Sequence, residues 1–110
     1  MEREHTAIEA VPWGLDDTKA THHKAGLLPA EQKKYDAFTQ HVAGGMNPFE
    51  AAQHAGVKDY KHLGNGQYQG KLGDKQRFTT FHEEHTHPET GVVHPVVRIH
   101  QVGGHTKAKK

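Results

Sequence analysis

Residues 66–106 constrain the fold more than any other part of the chain: GQYQGKLGDKQRFTTFHEEHTHPETGVVHPVVRIHQVGGHT. Their side chains alternate with the period of a strand, not that of a helix. Three strands are predicted, over residues 67–72, 76–82 and 93–102. Gly73-Asp74 separates the first two and marks a hairpin. The polar run 83–91, which contains Pro88, is predicted to be a longer loop that closes an antiparallel meander onto the third strand.

The alternation sorts the side chains into two faces. Tyr68, Gly70 and Leu72 point one way, and Gln67, Gln69 and Lys71 the other. In the second strand Phe78 and Thr80 oppose Arg77, Thr79 and Phe81. If Leu72 and Phe78 share the core, Lys71 and Arg77 share the opposite face. The third strand ends at Gly103-Gly104-His105-Thr106, which is predicted to carry His105 to the rim of that face. Taken singly, a Lys or an Arg on an exposed strand is an ordinary solvated charge. Converging with a His, the two cations suit a phosphodiester. The guanidinium can grip a non-bridging oxygen, the ammonium adds a point charge, and the imidazole moves protons near neutral pH.

Two helices precede the strands. Pro29 and Glu31 suit the first turn of a helix whose apolar stripe is Tyr35, Phe38 and Val42, and Gly44-Gly45 ends it. Asn47, Pro48 and Glu50 start a second helix that ends at Gly56. The expected core is Tyr35, Phe38, Val42, Phe49, Tyr68, Leu72, Phe78, Val97 and Ile99. The fold class is therefore read as α+β: an N-terminal helical hairpin packed on a three- to four-stranded antiparallel sheet with one face partly open. Residues 1–28 lack a clear period. They are read as an irregular segment or linker, with a short helix over residues 2–10 and Trp13 available to pin the segment to the body. Residues 29–106 form one domain, and residues 107–110 a short basic tail.

Composition narrows the classes of function. The chain has 110 residues, of which 33% are hydrophobic, so the core is small. The formal net charge is only +1. It is unevenly spread: from Lys58 onward nine basic side chains face five acidic ones, and the excess falls on the half that carries the strands. The absence of Cys excludes disulfides, thiolate nucleophiles and Cys-based zinc sites. No apolar run approaches a membrane span, and no signal-peptide core is visible. Twelve His are present. Of these His82, His85 and His87 lie in or beside the polar run and are alternative metal ligands, although their spacing matches no established metal motif.

The order helical hairpin, Gly66-x-Tyr68-x-x-Lys71-Leu72, Arg77-Phe78-x-x-Phe81, Val96 to Ile99, Val102-Gly103-x-His105 resembles the RelE/ParE-like toxins of the barnase–EndoU–colicin–RelE fold group. The likeness covers residues 61–106. It implies a bacterial toxin that acts as an endoribonuclease on mRNA or tRNA by 2′-OH transesterification, with no metal and no cofactor, and so inhibits translation. It places Lys71 and Arg77 as phosphate stabilisers and His105 as the catalytic acid or base, with His100 a second candidate. Gln69, Thr79, Arg98 and Thr106 would add substrate contacts. The implied partners are RNA and a cognate antitoxin or immunity protein. The implied location is the bacterial cytoplasm, reached either as a free-standing toxin or as the C-terminal domain of an effector delivered between competing bacteria. Two departures stand out: Gln69 replaces a basic residue that some members carry, and the run 83–91 is longer than their usual hairpin. The alternatives are a non-catalytic binding toxin of the same kind, for example a gyrase inhibitor, and a small His-rich metal-binding protein.

Overall fold

The computed structural model describes residues 12–23 and 26–104. Its helices begin where proline and a carboxylate or amide acceptor permit. α1 spans Pro29–Ala43 and α2 spans Pro48–Ala55. Each opens on a proline, whose missing N–H costs no helical bond in the first turn. The Glu31 carboxylate accepts from the Leu28 N–H at 2.8 Å, and Asn47 Oδ1 accepts from the Phe49 N–H at 2.7 Å. Both bonds satisfy donors that the helix itself leaves unpaired. Gly56 closes α2 in the left-handed conformation, at φ 82°. Neither helix is long and apolar enough to cross a membrane.

Among the described residues six strands form one sheet: β1 (Gly14–Asp16), β2 (Thr21–His22), β3 (Lys58–Gly64), β4 (Gln67–Lys71), β5 (Arg77–Thr86) and β6 (Val93–Val102). Their spatial order is β1-β6-β5-β4-β3, and β2 also lies on β6. β3 to β6 make an antiparallel meander, whereas β1 and β2 run parallel to β6.

This corrects the expected architecture. The helices sit in the middle of the chain, after two strands, and the sheet is mixed and six-stranded instead of antiparallel with three or four strands. Residues 14–16 and 21–22, expected to be irregular, are held by backbone pairing to β6. Residues 83–86, expected to begin a loop, continue β5 against residues 93–96 of β6. Cross-strand bonding there replaces the apolar alternation that a buried strand needs. β3 turns into β4 through Asn65-Gly66, with φ of 54° and 77°. Two left-handed residues in succession match the twist of a tight hairpin. The helix expected over residues 2–10 and the tail 107–110 lie outside the described residues.

The core forms where the helices meet one face of the sheet. Tyr35, Phe38, Val42, Leu72, Phe78, Val97 and Ile99 are buried there as expected. Trp13, Leu15 and Ala20 pack on its edge, so this part of the N-terminal segment is pinned to the body. Two expected core residues are not buried. Phe49 keeps 44% of its exposure at the start of α2, and Tyr68 is half-buried. At the centre the Phe78 ring meets those of Phe38 and Tyr35, at 4.9 and 5.8 Å between centroids. Directly across from Phe78 on β4 is Gly70. A Cβ there would stand 2.6 Å from Val57 Cγ1 and 2.8 Å from Phe78 Cε1. The glycine is the notch that receives the ring.

Gly70→Ala is therefore expected to destabilise the fold by about 1–3 kcal/mol through overpacking. Gly14→Ala, whose methyl would meet Val96 Cγ2 at an ordinary 3.5 Å, is expected to change stability little. Urea unfolding of both variants checks the contrast, and equal midpoints would refute it.

Candidate functional site

The unbroken register of β4 and β5 places Gln67, Gln69 and Lys71 beside Phe81, Thr79 and Arg77 on the face away from the helices. Alternate residues on one strand stand about 6.7 Å apart, so Arg77, Thr79 and Phe81 form an evenly spaced row. β6 supplies the neighbouring row through a bulge. Thr79 pairs with Gln101 and Thr80 with Ile99, which leaves His100 as the extra residue. Bulges of this kind re-aim a side chain. Here His100 Nδ1 lies 3.1 Å from the Thr79 hydroxyl, and the His100 ring stands edge-on to Phe81 at 5.3 Å.

One end of this face is cationic. Lys71 and Arg77 are direct cross-strand partners. Lys34 from α1 and Lys58 from β3 join them around a cleft of about 310 Å³, whose other lining residues are Leu72, Gly73 and Asp74. Four cations and the Asp74 carboxylate line the cleft, and the carboxylates of Asp59 and Glu31 border it. Lys71 Nζ also pairs with the Asp59 carboxylate at 2.9 Å, and this hydrogen bond holds the Asp59 carboxyl below the usual range. Arg77 Nη1 donates to the carbonyls of Gly73, Asp74 and Gln76 at 3.2, 3.2 and 3.4 Å, which fixes the guanidinium over the β4–β5 turn. The Arg77 backbone exchanges two bonds with the Gly103-Gly104 segment, at 3.1 and 2.7 Å.

The other end is balanced in charge. Arg98 Nε donates to Glu83 Oε2 at 2.7 Å, and His85 Nε2 lies 3.1 Å from Glu83 Oε1. The bond from Arg98, then that from His85, hold the Glu83 carboxyl below its ordinary range. Arg98 Cζ stands 4.6 Å from the centroid of the Phe81 ring.

Of the residues singled out from the sequence, Lys71, Arg77, Gln69, Thr79, Arg98 and His100 thus share one face. His105 and Thr106 lie outside the described residues. The alternative metal ligands do not converge. His82 and His85 stand on opposite faces of β5, and His87 Nδ1 accepts from the N–H groups of Glu89 and Thr90 at 3.2 and 3.4 Å. Among the described residues no three His, Asp or Glu side chains are arranged to hold a metal ion. Sequence reasoning missed Lys34 and Lys58. Asn65-Gly66 signals a hairpin, but its uninterrupted register would set Tyr60 opposite Lys71; two register shifts in β3 bring Lys58 there instead. Lys34 approaches only through tertiary packing.

On the helix side a second cluster gathers Trp13, Phe49, Tyr60, Tyr68 and His82. The His82 ring stacks on Tyr68 at 3.8 Å with only 10° between planes, and Trp13 meets it edge-on at 5.2 Å. The Tyr60 hydroxyl bonds both Thr80 Oγ1, at 2.6 Å, and His82 Nε2, at 2.8 Å. Burial raises the Tyr60 phenol pKa, so the hydroxyl stays protonated. Burial, with a smaller contribution from nearby His62, lowers the His82 pKa to about 4. His82 is accordingly a neutral structural imidazole at pH 7.

A His whose pKa falls on folding binds its proton more tightly when unfolded. The stability it leaves intact above about pH 6.5 is lost as the pH falls toward 4. Because the ring is only partly buried and solvent screens it, the loss is expected to be about 1–2 kcal/mol. His82→Phe is expected to flatten this acid limb in denaturant titrations between pH 7 and 4.5; an unchanged limb would refute the assignment. The chain matches no protein-family model and no curated protein, so its residues and their geometry carry the functional argument.

Proposed function

We propose that the chain is a metal-independent endoribonuclease, of the kind the RelE/ParE-like resemblance implies, that holds RNA on the open sheet face. The carrying observation is the Lys71–Arg77 cross-strand pair at a cation-lined cleft, one alternate position from the Thr79–His100 hydrogen bond. Because the mixed six-stranded sheet departs from the architecture first expected, the proposal rests on these residues and not on the fold.

In this reading the scissile phosphate sits at the mouth of the cleft. Arg77, pre-oriented by the turn carbonyls, donates to the non-bridging oxygens. Lys71 exchanges Asp59 for the phosphate and balances the charge that develops on phosphorus. A base removes the proton from the 2′-OH, whose oxygen attacks the adjacent phosphorus. The bond to the 5′-oxygen breaks, and an acid protonates that oxygen, leaving a cyclic 2′,3′-phosphate and a 5′-hydroxyl. His100 supplies one of these proton transfers through Nε2, with Nδ1 held by Thr79. His105 is assigned the other. It follows Gly104, whose carbonyl accepts from the Arg77 N–H at 3.1 Å. Gln69 flanks the substrate, whereas Thr79, which is buried, acts by holding His100. A cell making such an enzyme needs an inhibitor, and an acidic protein would complement the cleft. The site of action is the cytoplasm, where the RNA is.

A second reading, a non-catalytic binding toxin, is favoured by one observation: Lys71 already has a partner in Asp59, as an ordinary structural cation would.

The test is cleavage of total tRNA, and of mRNA on translating ribosomes, by the purified protein in EDTA. Arg77→Ala is expected to lower the rate by about 10²–10³ and His100→Ala by about 10²–10⁴. Cleavage that requires added divalent metal, or that both variants retain, would contradict the proposal. Binding without cleavage would favour the second reading.

A further inference from the structure

We infer that Phe81 and Arg98, flanked by His100, form a stacking platform for an unpaired base, so that the substrate is single-stranded RNA. This inference rests on the nucleic-acid reading above and deepens it by dividing the open face into a phosphate half and a base half.

The division follows from charge. Phe81 lies two alternate positions from Arg77 on the same strand, roughly 13 Å away, so different parts of a bound chain meet the two. At the Arg77 end cations outnumber carboxylates around the cleft. At the Phe81 end Arg98 is neutralised by Glu83 at 2.7 Å, which removes the excess charge that would draw a phosphate there. What remains is a set of flat, polarisable groups. The Arg98 guanidinium lies over the Phe81 ring at 4.6 Å, and His100 closes one side at 5.3 Å and 78°. The Glu83 hydrogen bond holds Arg98 in place before any ligand arrives, and its side chain still keeps 29% of its exposure. Proteins that bind single strands without a duplex groove use this combination: a cationic track for the backbone, with aromatic rings and guanidinium planes against which bases stack. A base paired within a duplex has no free face to offer.

The test uses fluorescence anisotropy with the full chain and three probes of equal length: a 2′-O-methyl single-stranded RNA that cannot be cleaved, a duplex of the same sequence, and an abasic phosphodiester. The wild type is expected to bind the single strand about tenfold more tightly than the abasic chain and more tightly than the duplex. Phe81→Leu, which keeps an apolar side chain but removes the ring, is expected to erase the preference for the single strand over the abasic chain. Phe81→Trp is expected to retain the preference. Equal wild-type affinity for the single strand and the abasic chain would overturn the platform while sparing the phosphate site. A preference that survives in Phe81→Leu would also overturn it. The wild-type comparison stands even if Phe81→Leu fails to fold. Failure of the wild type to bind any probe would overturn the nucleic-acid reading itself.

Discussion

The contact between the Phe78 ring and the backbone of Gly70 fixes the rest of the molecule. Phe78 lies on β5, which is flanked by β4 and β6, and it is fully buried beneath Tyr35 and Phe38 of α1. Only a residue without a side chain fits opposite it, since a Cβ at Gly70 would collide with both Phe78 and Val57. The notch therefore locks the register of β4 against β5. A slip of one residue would send each side chain of β4 to the wrong face. With the register locked, Lys71 must stand opposite Arg77 and Gln69 opposite Thr79. The composition of the candidate site is thus a consequence of packing on the other side of the sheet.

The two faces of β5 show how one strand separates structure from chemistry. On the helix side Phe78, Thr80 and His82 are satisfied within the protein. Thr80 and His82 share the Tyr60 hydroxyl, and His82 is held neutral by burial. On the open side Arg77, Thr79 and Phe81 meet cations, an exposed imidazole and an ion pair that neutralises itself. A charged imidazole is costly on the first face and useful on the second. For the proposed chemistry His100 is consequently the His of interest on this sheet, and His82 belongs to the scaffold.

Much of this was legible in the sequence, for local reasons. Helix starts at Pro29 and Asn47 and the stop at Gly56 depend on neighbouring residues alone. The alternation from Gln67 to Phe81 sorts Lys71 and Arg77 onto one face whatever else the chain does. What escaped depends on contacts distant in sequence. β1 and β2 have three and two residues, too few for any period, and exist because β6 offers an edge. The extension of β5 through Glu83 and His85 reads as loop because its residues are polar. It is a strand because its backbone pairs with residues 93–96 of β6. The β3 hairpin was signalled by Asn65-Gly66 and overlooked. The bulge that isolates His100 has no local marker, and neither does the approach of Lys34 to the cleft.

The central claim is that RNA phosphates lie on the open face beside Lys71 and Arg77. Amide chemical-shift mapping with a non-cleavable single-stranded RNA tests it most directly, because it reads position without requiring turnover. The account predicts that the largest shifts fall on Lys71, Arg77, Thr79 and His100. Shifts confined to Trp13, Phe49 and Tyr60 on the helix side, or none at saturating RNA, would contradict it.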